Sequence, residues 1–120
     1  METVVVLGAS PKPERYSNQA VRLLIETGHR VIPVHPAVDE IEALPVTHKL
    51  AEIQTPVDTV TVYVSATVSS GLLEDFLRLA PKRVIFNPGT ENPLLQDALR
   101  DRDIQVQEAC TLVLLKTGQF

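Results

Sequence analysis

Thr3-Val4-Val5-Val6-Leu7-Gly8-Ala9-Ser10-Pro11-Lys12-Pro13-Glu14-Arg15-Tyr16-Ser17 joins an unbroken β-branched run to a glycine and then to a polar, proline-stiffened loop. Apolar residues at every position, rather than at alternate ones, mark a strand buried on both faces. Such a strand needs layers above and below it, so the rest of the chain should supply helices for both sides. Working outward, Arg30–Val34, Asp58–Val64 and Arg83–Phe86 repeat the same pattern, and Ile104–Val106 is a shorter version. Pro45–Thr47 would lie only at a periphery, where proline is tolerated.

Helical patterns fill the intervals. Ser17 would cap a helix whose apolar side is Ala20, Val21, Leu24 and Ile25, with Gly28 just past its end. A second helix, from about Thr67 to Ala80, places Val68, Leu72, Phe76 and Leu77 on one side and stops at Pro81. A third opens with Asn92-Pro93 and turns Leu94, Leu95, Ala98 and Leu99 inward. Leu50–Ile53 is a short helical turn. Strands alternating with helices at these lengths give βαβ units. The predicted fold is α/β, a doubly wound, Rossmann-like, mostly parallel sheet of five to six strands with helices on both faces. Ligands of such sheets lie beyond the carboxyl ends of the strands, which directs attention to Gly8–Tyr16 and Pro33–Glu42.

Composition narrows the function. With 44% hydrophobic and 22% charged residues, the 120-residue chain reads as one globular domain, residues 1–120. A net charge of −4 without a cationic stripe argues against a nucleic-acid partner. The single cysteine, Cys110, forms no internal disulfide, which suits a reducing, cytoplasmic setting. Met1–Leu7 is too short for a secretory leader, and every apolar run falls far below a membrane span, so no membrane partner is expected. His29, His35 and His48 are spaced so that no two share a helical face, and no metal site is predicted.

The first loop has the makings of an anion site. Gly8 permits a tight turn, the following helix offers its amides, and Ser10, Ser17, Lys12 and Arg15 add donors and positive charge. The dinucleotide fingerprint G-x-G-x-x-G would require glycine at 8, 10 and 13, where the chain has Gly8, Ser10 and Pro13. The carboxylate that receives ribose hydroxyls in NAD domains is also missing, because Pro33-Val34-His35-Pro36 occupies that turn and no acid follows before Asp39. A phosphate-bearing nucleotide remains, and an ordinary NAD site does not fit. The same residues also suit a stiff connecting loop with no ligand.

Gly8-Ala9-Ser10, Pro13–Ser17, Gly28–Pro36, Val57-Asp58, Phe86–Asn92 and Cys110–Val113 resemble the small stand-alone CoA-binding domain proteins. These are Rossmann-like relatives of the amino-terminal domain of the succinyl-CoA synthetase alpha subunit. The resemblance implies coenzyme A as the ligand, with Gly8, Ala9 and Ser10 at its diphosphate and Lys12, Arg15 and Ser17 around the phosphates. It puts Pro33, Val34, His35 and Pro36 on the adenine and ribose side, and Val64, Ser65, Asn87, Pro88 and Gly89 along the pantetheine. Val64-Ser65-Ala66-Thr67 lacks the arginine that many members carry there, and the Asn87-Pro88-Gly89 turn lacks their glutamine. Few cations are thus left for the 3′-phosphate.

The expected function is non-covalent binding of CoA or a short acyl-CoA in a sensing, regulatory or carrier role. No residue set for catalysis is recognised: there is no nucleophile elbow or Walker loop, and Glu91 and Asn92 suit capping as well as acid–base work. The residues leave two alternatives, a small NAD(P)-dependent enzyme using Glu91 or Cys110, and an interaction module with a degenerate nucleotide site. Thr111-Leu112-Val113-Leu114-Leu115 should fold back onto the sheet or form a homo-oligomer contact.

Overall fold

A computed structural model describes residues 1–120. Its central sheet contains β1 (Thr3–Leu7), β2 (Arg30–Val34), β5 (Thr59–Val62), β6 (Arg83–Phe86) and β7 (Gln105–Glu108). All pairings in it are parallel, in the order β2-β1-β5-β6-β7. The chain winds outward from β1 to β2, then returns to the other side of β1 at β5. The carboxyl ends of β1 and β5 therefore border the switch point, where two successive connections leave in opposite directions.

Burial on both faces explains the unbroken apolar strand. Val5 and Leu7 belong to a core shared with Phe76, Leu95 and Leu99. Val4 and Val6 face the other way, onto Ala9, Val21 and Leu24. The first core is covered by α2 (Ala66–Ser70), α3 (Leu73–Leu79) and α4 (Pro93–Arg100), and the second by α1 (Tyr16–Glu26) and α5 (Thr111–Lys116). Each fully buried valine or leucine contributes about 1.5–3 kcal/mol relative to exposure. An alternating polar–apolar strand at β1 would thus forfeit one whole layer.

Four local expectations are corrected. Helix α1 begins after Arg15, whose side chain makes no capping bond, and Ser17 lies inside the first turn. Its other end follows the prediction: Gly28 has φ +89°, its amide donates to Ile25 O, and the His29 amide donates to Leu24 O, closing the carbonyl end. The helix expected over Thr67–Ala80 is broken at Gly71-Leu72 into α2 and α3, with Ser65 Oγ accepting from Val68 N at 3.4 Å at its start. Leu94 is 84% exposed, while Gln96 is buried in its stead, bonded to Asn92 N (2.8 Å) and Glu108 (2.8 Å). Pro45–Thr47 adds no strand to the main sheet. Instead β3 (Glu40–Ile41) and β4 (Leu44–Pro45) form a separate hairpin, and Thr47 makes one parallel bridge to Val34.

The apolar tail becomes α5, which packs beside α1 with Leu112 and Leu114 buried and Val113 exposed. No helix is long and apolar enough to cross a membrane. At the amino ends of the strands, Asp58 accepts from Thr3 N at 2.8 Å and meets Lys82 at 3.2 Å, and these two contacts hold its carboxyl below the usual value.

Candidate functional site

The loop after β1 folds tightly before it opens. Gly8 has φ +88°, and a Cβ there would lie 2.8 Å from Val64 Cγ1 and 3.1 Å from the Tyr63 carbonyl carbon. Glycine is thus required first by the chain's own crossing at the switch point. The Gly8 and Ala9 amides both donate to Val34 O, at 3.2 and 3.0 Å. That bifurcated contact binds the loop to the end of β2, and it engages two of the amides expected to face a ligand.

The donors left over lie further along. Lys12 N donates to Ser10 Oγ at 3.1 Å, which leaves that hydroxyl's own proton available. The amides of Tyr16, Ser17 and Asn18, in the first turn of α1, have no acceptor within the chain. Three unpaired amides at the positive end of an eleven-residue helix form an anion-binding geometry. Asn18 fixes this turn: its Nδ2 donates to Ser10 O (2.9 Å) and Glu42 Oε2 (3.2 Å), and its Oδ1 accepts from Arg22 (2.9 Å).

Two adjoining cavities share Gly8. The first, about 500 Å³, is bordered by Gly8, Ala9, Ser10, Lys12, Arg15 and Ser17, together with Pro11, Tyr16, His35 and Tyr63. The second, about 380 Å³, is mostly apolar. Gly8, Val34, Pro36 and Val64 border it with Leu50 and Leu72. One end of the crevice is therefore polar and cationic, the other apolar, as a ligand with a charged middle and a flat or aliphatic extension would require.

The remaining predicted residues stand elsewhere. Pro33 is buried within β2, and its carbonyl accepts from Thr47 N at 3.0 Å. Ser65 caps α2. Asn87 is 3% exposed and saturated: its Nδ2 donates to Thr61 Oγ1 (2.7 Å) and Val62 O (2.9 Å), while its Oδ1 accepts from Thr111 N (2.8 Å). It joins β5 and β6 to α5, which gives it an architectural role. Pro88 and Gly89 are exposed beside it, bordering neither cavity, and Glu91 is turned back to accept from Gly89 N at 3.0 Å.

Tyr63, Asn18 and Lys49 were not anticipated. Tyr63 borders the polar cavity, yet its hydroxyl is buried without a hydrogen-bond partner. Burial pushes its pKa up to about 12; the neighbouring Thr61 and Thr111 hydroxyls oppose the shift but are joined to each other at 2.7 Å. A tyrosine in a β-branched run reads in sequence as strand filling, which hides its position at the switch point. Asn18 carried a signal, since it stands three residues before Val21 and so shares the inward side of α1.

A protein-family model described as CoA binding domain matches residues 2–116. The chain belongs to this family. A Bacillus subtilis relative, the uncharacterized protein YneT, is 32% identical over 74 residues, which span 62% of this chain and 55% of that protein. The match thus covers about half of the curated relative's length. Among solved structures, one crystal structure of an uncharacterized protein is 38% identical with a TM-score of 0.95, over 100% of this chain and 98% of the other. A Thermus thermophilus protein is 30% identical with a TM-score of 0.90, over 99% and 90%. The dinucleotide forming acetyl-coenzyme A synthetase 1 of Ca. Korarchaeum cryptofilum shares the fold, with a TM-score of 0.74 at 23% identity. There the superposition spans 88% of this chain and 25% of that enzyme. The five-stranded parallel sheet is the Rossmann-like architecture expected from the β1 stretch, and these solved structures share it.

Proposed function

We propose that residues 1–120 act as a single CoA-binding domain that holds CoA or a short acyl-CoA non-covalently, in a cytoplasmic sensing, regulatory or carrier role. The observation that carries this reading is the unpaired first-turn amides of α1, two of whose residues, Tyr16 and Ser17, border a cavity together with Lys12 and Arg15, in a chain of the CoA binding domain family. The diphosphate would lie there, accepting from the helix amides and the Ser10 and Ser17 hydroxyls. Gly8 and Ala9 would approach it as a close backbone wall rather than as donors. The adenosine end would enter the apolar cavity past Val34, His35 and Pro36, a turn with no carboxylate to receive ribose hydroxyls.

The absence of a role in chemistry is supported by the residues best suited to it. Glu91 is turned onto Gly89, and Cys110 begins α5 outside both cavities. Isothermal titration with CoA, acetyl-CoA, NAD and ATP tests the reading. CoA or acetyl-CoA should bind at least about tenfold more tightly than NAD, a difference of about 1.4 kcal/mol. Equal or tighter binding of NAD would turn the assignment toward a dinucleotide enzyme, and no binding at all toward an interaction module.

A further inference from the structure

The apolar cavity holds one charged group whose role the fold does not explain. The two other ionisable residues that border it are already engaged: His48 meets Asp39 at 2.9 Å and Asp75 meets Arg78 at 3.7 Å, while His35, on the adjoining polar cavity, accepts at Nδ1 from the Ala37 and Val38 amides at 3.0 and 3.1 Å. Lys49 borders the same cavity and forms no ion pair.

Its backbone is held in place. Thr47 is joined to the end of β2 by two bonds, Thr47 N to Pro33 O (3.0 Å) and His35 N to Thr47 O (3.1 Å). Lys49 then starts the 3-10 turn Leu50–Glu52 with an extended backbone, and Leu50 anchors the turn by burial. The lysine stem thus leaves a fixed point on the wall formed by Val34 and Pro36.

An NAD-type mouth has a carboxylate at the end of β2, which receives neutral ribose hydroxyls and repels a phosphate; a cation reverses that preference. Here the carboxylate is missing and an unpaired cation stands in the neighbouring turn. We propose that Lys49 is the specificity residue of this crevice, pairing with a phosphomonoester on the adenosine ribose. The inference rests on the reading that the crevice binds an adenine nucleotide by its diphosphate. A 3′-phosphate, as in CoA, and a 2′-phosphate, as in NADP, present the same chemistry.

Titrations of the unmodified protein, Lys49→Ala and Lys49→Arg with CoA, dephospho-CoA, NADP and NAD decide the matter. The unmodified protein should bind the phosphorylated member of one pair about tenfold more tightly than its unphosphorylated counterpart, as one charged contact allows. Lys49→Ala should erase that ratio while leaving dephospho-CoA or NAD binding within about twofold, and Lys49→Arg should retain it. Raising the salt should shrink the ratio, because Lys49 is exposed. A preference within the CoA pair identifies the 3′-phosphate as the partner, and one within the NADP pair the 2′-phosphate. A ratio unchanged in Lys49→Ala overturns the role of Lys49 and leaves the diphosphate reading intact. Absence of binding to all four ligands overturns both.

Discussion

The turns that leave β1 and β6 are built from similar residues, small and polar around glycine and proline, and both stand at the carboxyl edge of the sheet. The turn after β6 has directed its best polar group inward, where Asn87 bridges β5, β6 and α5. The turn after β1 has engaged Gly8 and Ala9 with Val34 O, but it leaves the first amides of α1 without a partner in the chain and sets Lys12 and Arg15 on the border of a cavity. Polar residues at a sheet edge thus divide by what is left unpaired. A saturated group stabilises the scaffold, whereas a group with an open donor at a cavity is free to meet a ligand.

The largest effect should come from the closed turn. Asn87→Ala leaves Thr111 N and the Thr61 and Val62 oxygens without their partner, and urea denaturation should show a loss of about 3 kcal/mol or more. A loss below about 1 kcal/mol would remove the contrast between the two turns. Gly8→Ala should lower stability by about 2 kcal/mol, since a side chain at φ +88° would also meet Val64 and Tyr63. The same denaturation series measures it.

Tyr63 sharpens the boundary between the regions. Its folded pKa stands above its ordinary value of 10, so the unfolded chain releases the proton first. Stability is unaffected below pH 10 and falls as pH rises from there to about 12, by an amount on the order of 2 kcal/mol. Tyr63→Phe should abolish that alkaline decline in denaturation curves recorded at stepped pH, and should leave stability at pH 7 within about 1 kcal/mol. The smallest effects on folding belong to the open turn. Lys12→Ala and Arg15→Ala, both at exposed positions, should keep unfolding free energies within about 0.5 kcal/mol. Each should nevertheless weaken CoA binding about three- to tenfold by titration, less so at high salt.

The fold was legible because β1 announces burial on both faces and the helices carry clear stops, Gly28 at the end of α1 and Pro81 after α3. Local chain chemistry decided those features, and it is present in the sequence. The break at Gly71-Leu72 and the exchange of Leu94 for Gln96 were hidden, because both depend on which neighbour a helix face meets. The candidate site divides along the same line. Ser10, Lys12, Arg15 and Ser17 could be placed from the loop, since their proximity follows from adjacency in the chain. The inward turn of Asn87, the engagement of the Gly8 and Ala9 amides, and the arrival of Lys49 beside Val34 depend on contacts between distant segments. No spacing rule in one sequence contains them.

Amide-resolved NMR during titration with CoA reports which of the two turns meets the ligand. The amides of Ser10, Tyr16, Ser17 and Asn18 should shift strongly, with those of Thr111 and Asn87 nearly still. Shifts centred on Asn87–Glu91, with the first turn of α1 unmoved at saturating CoA, would contradict that placement of the ligand.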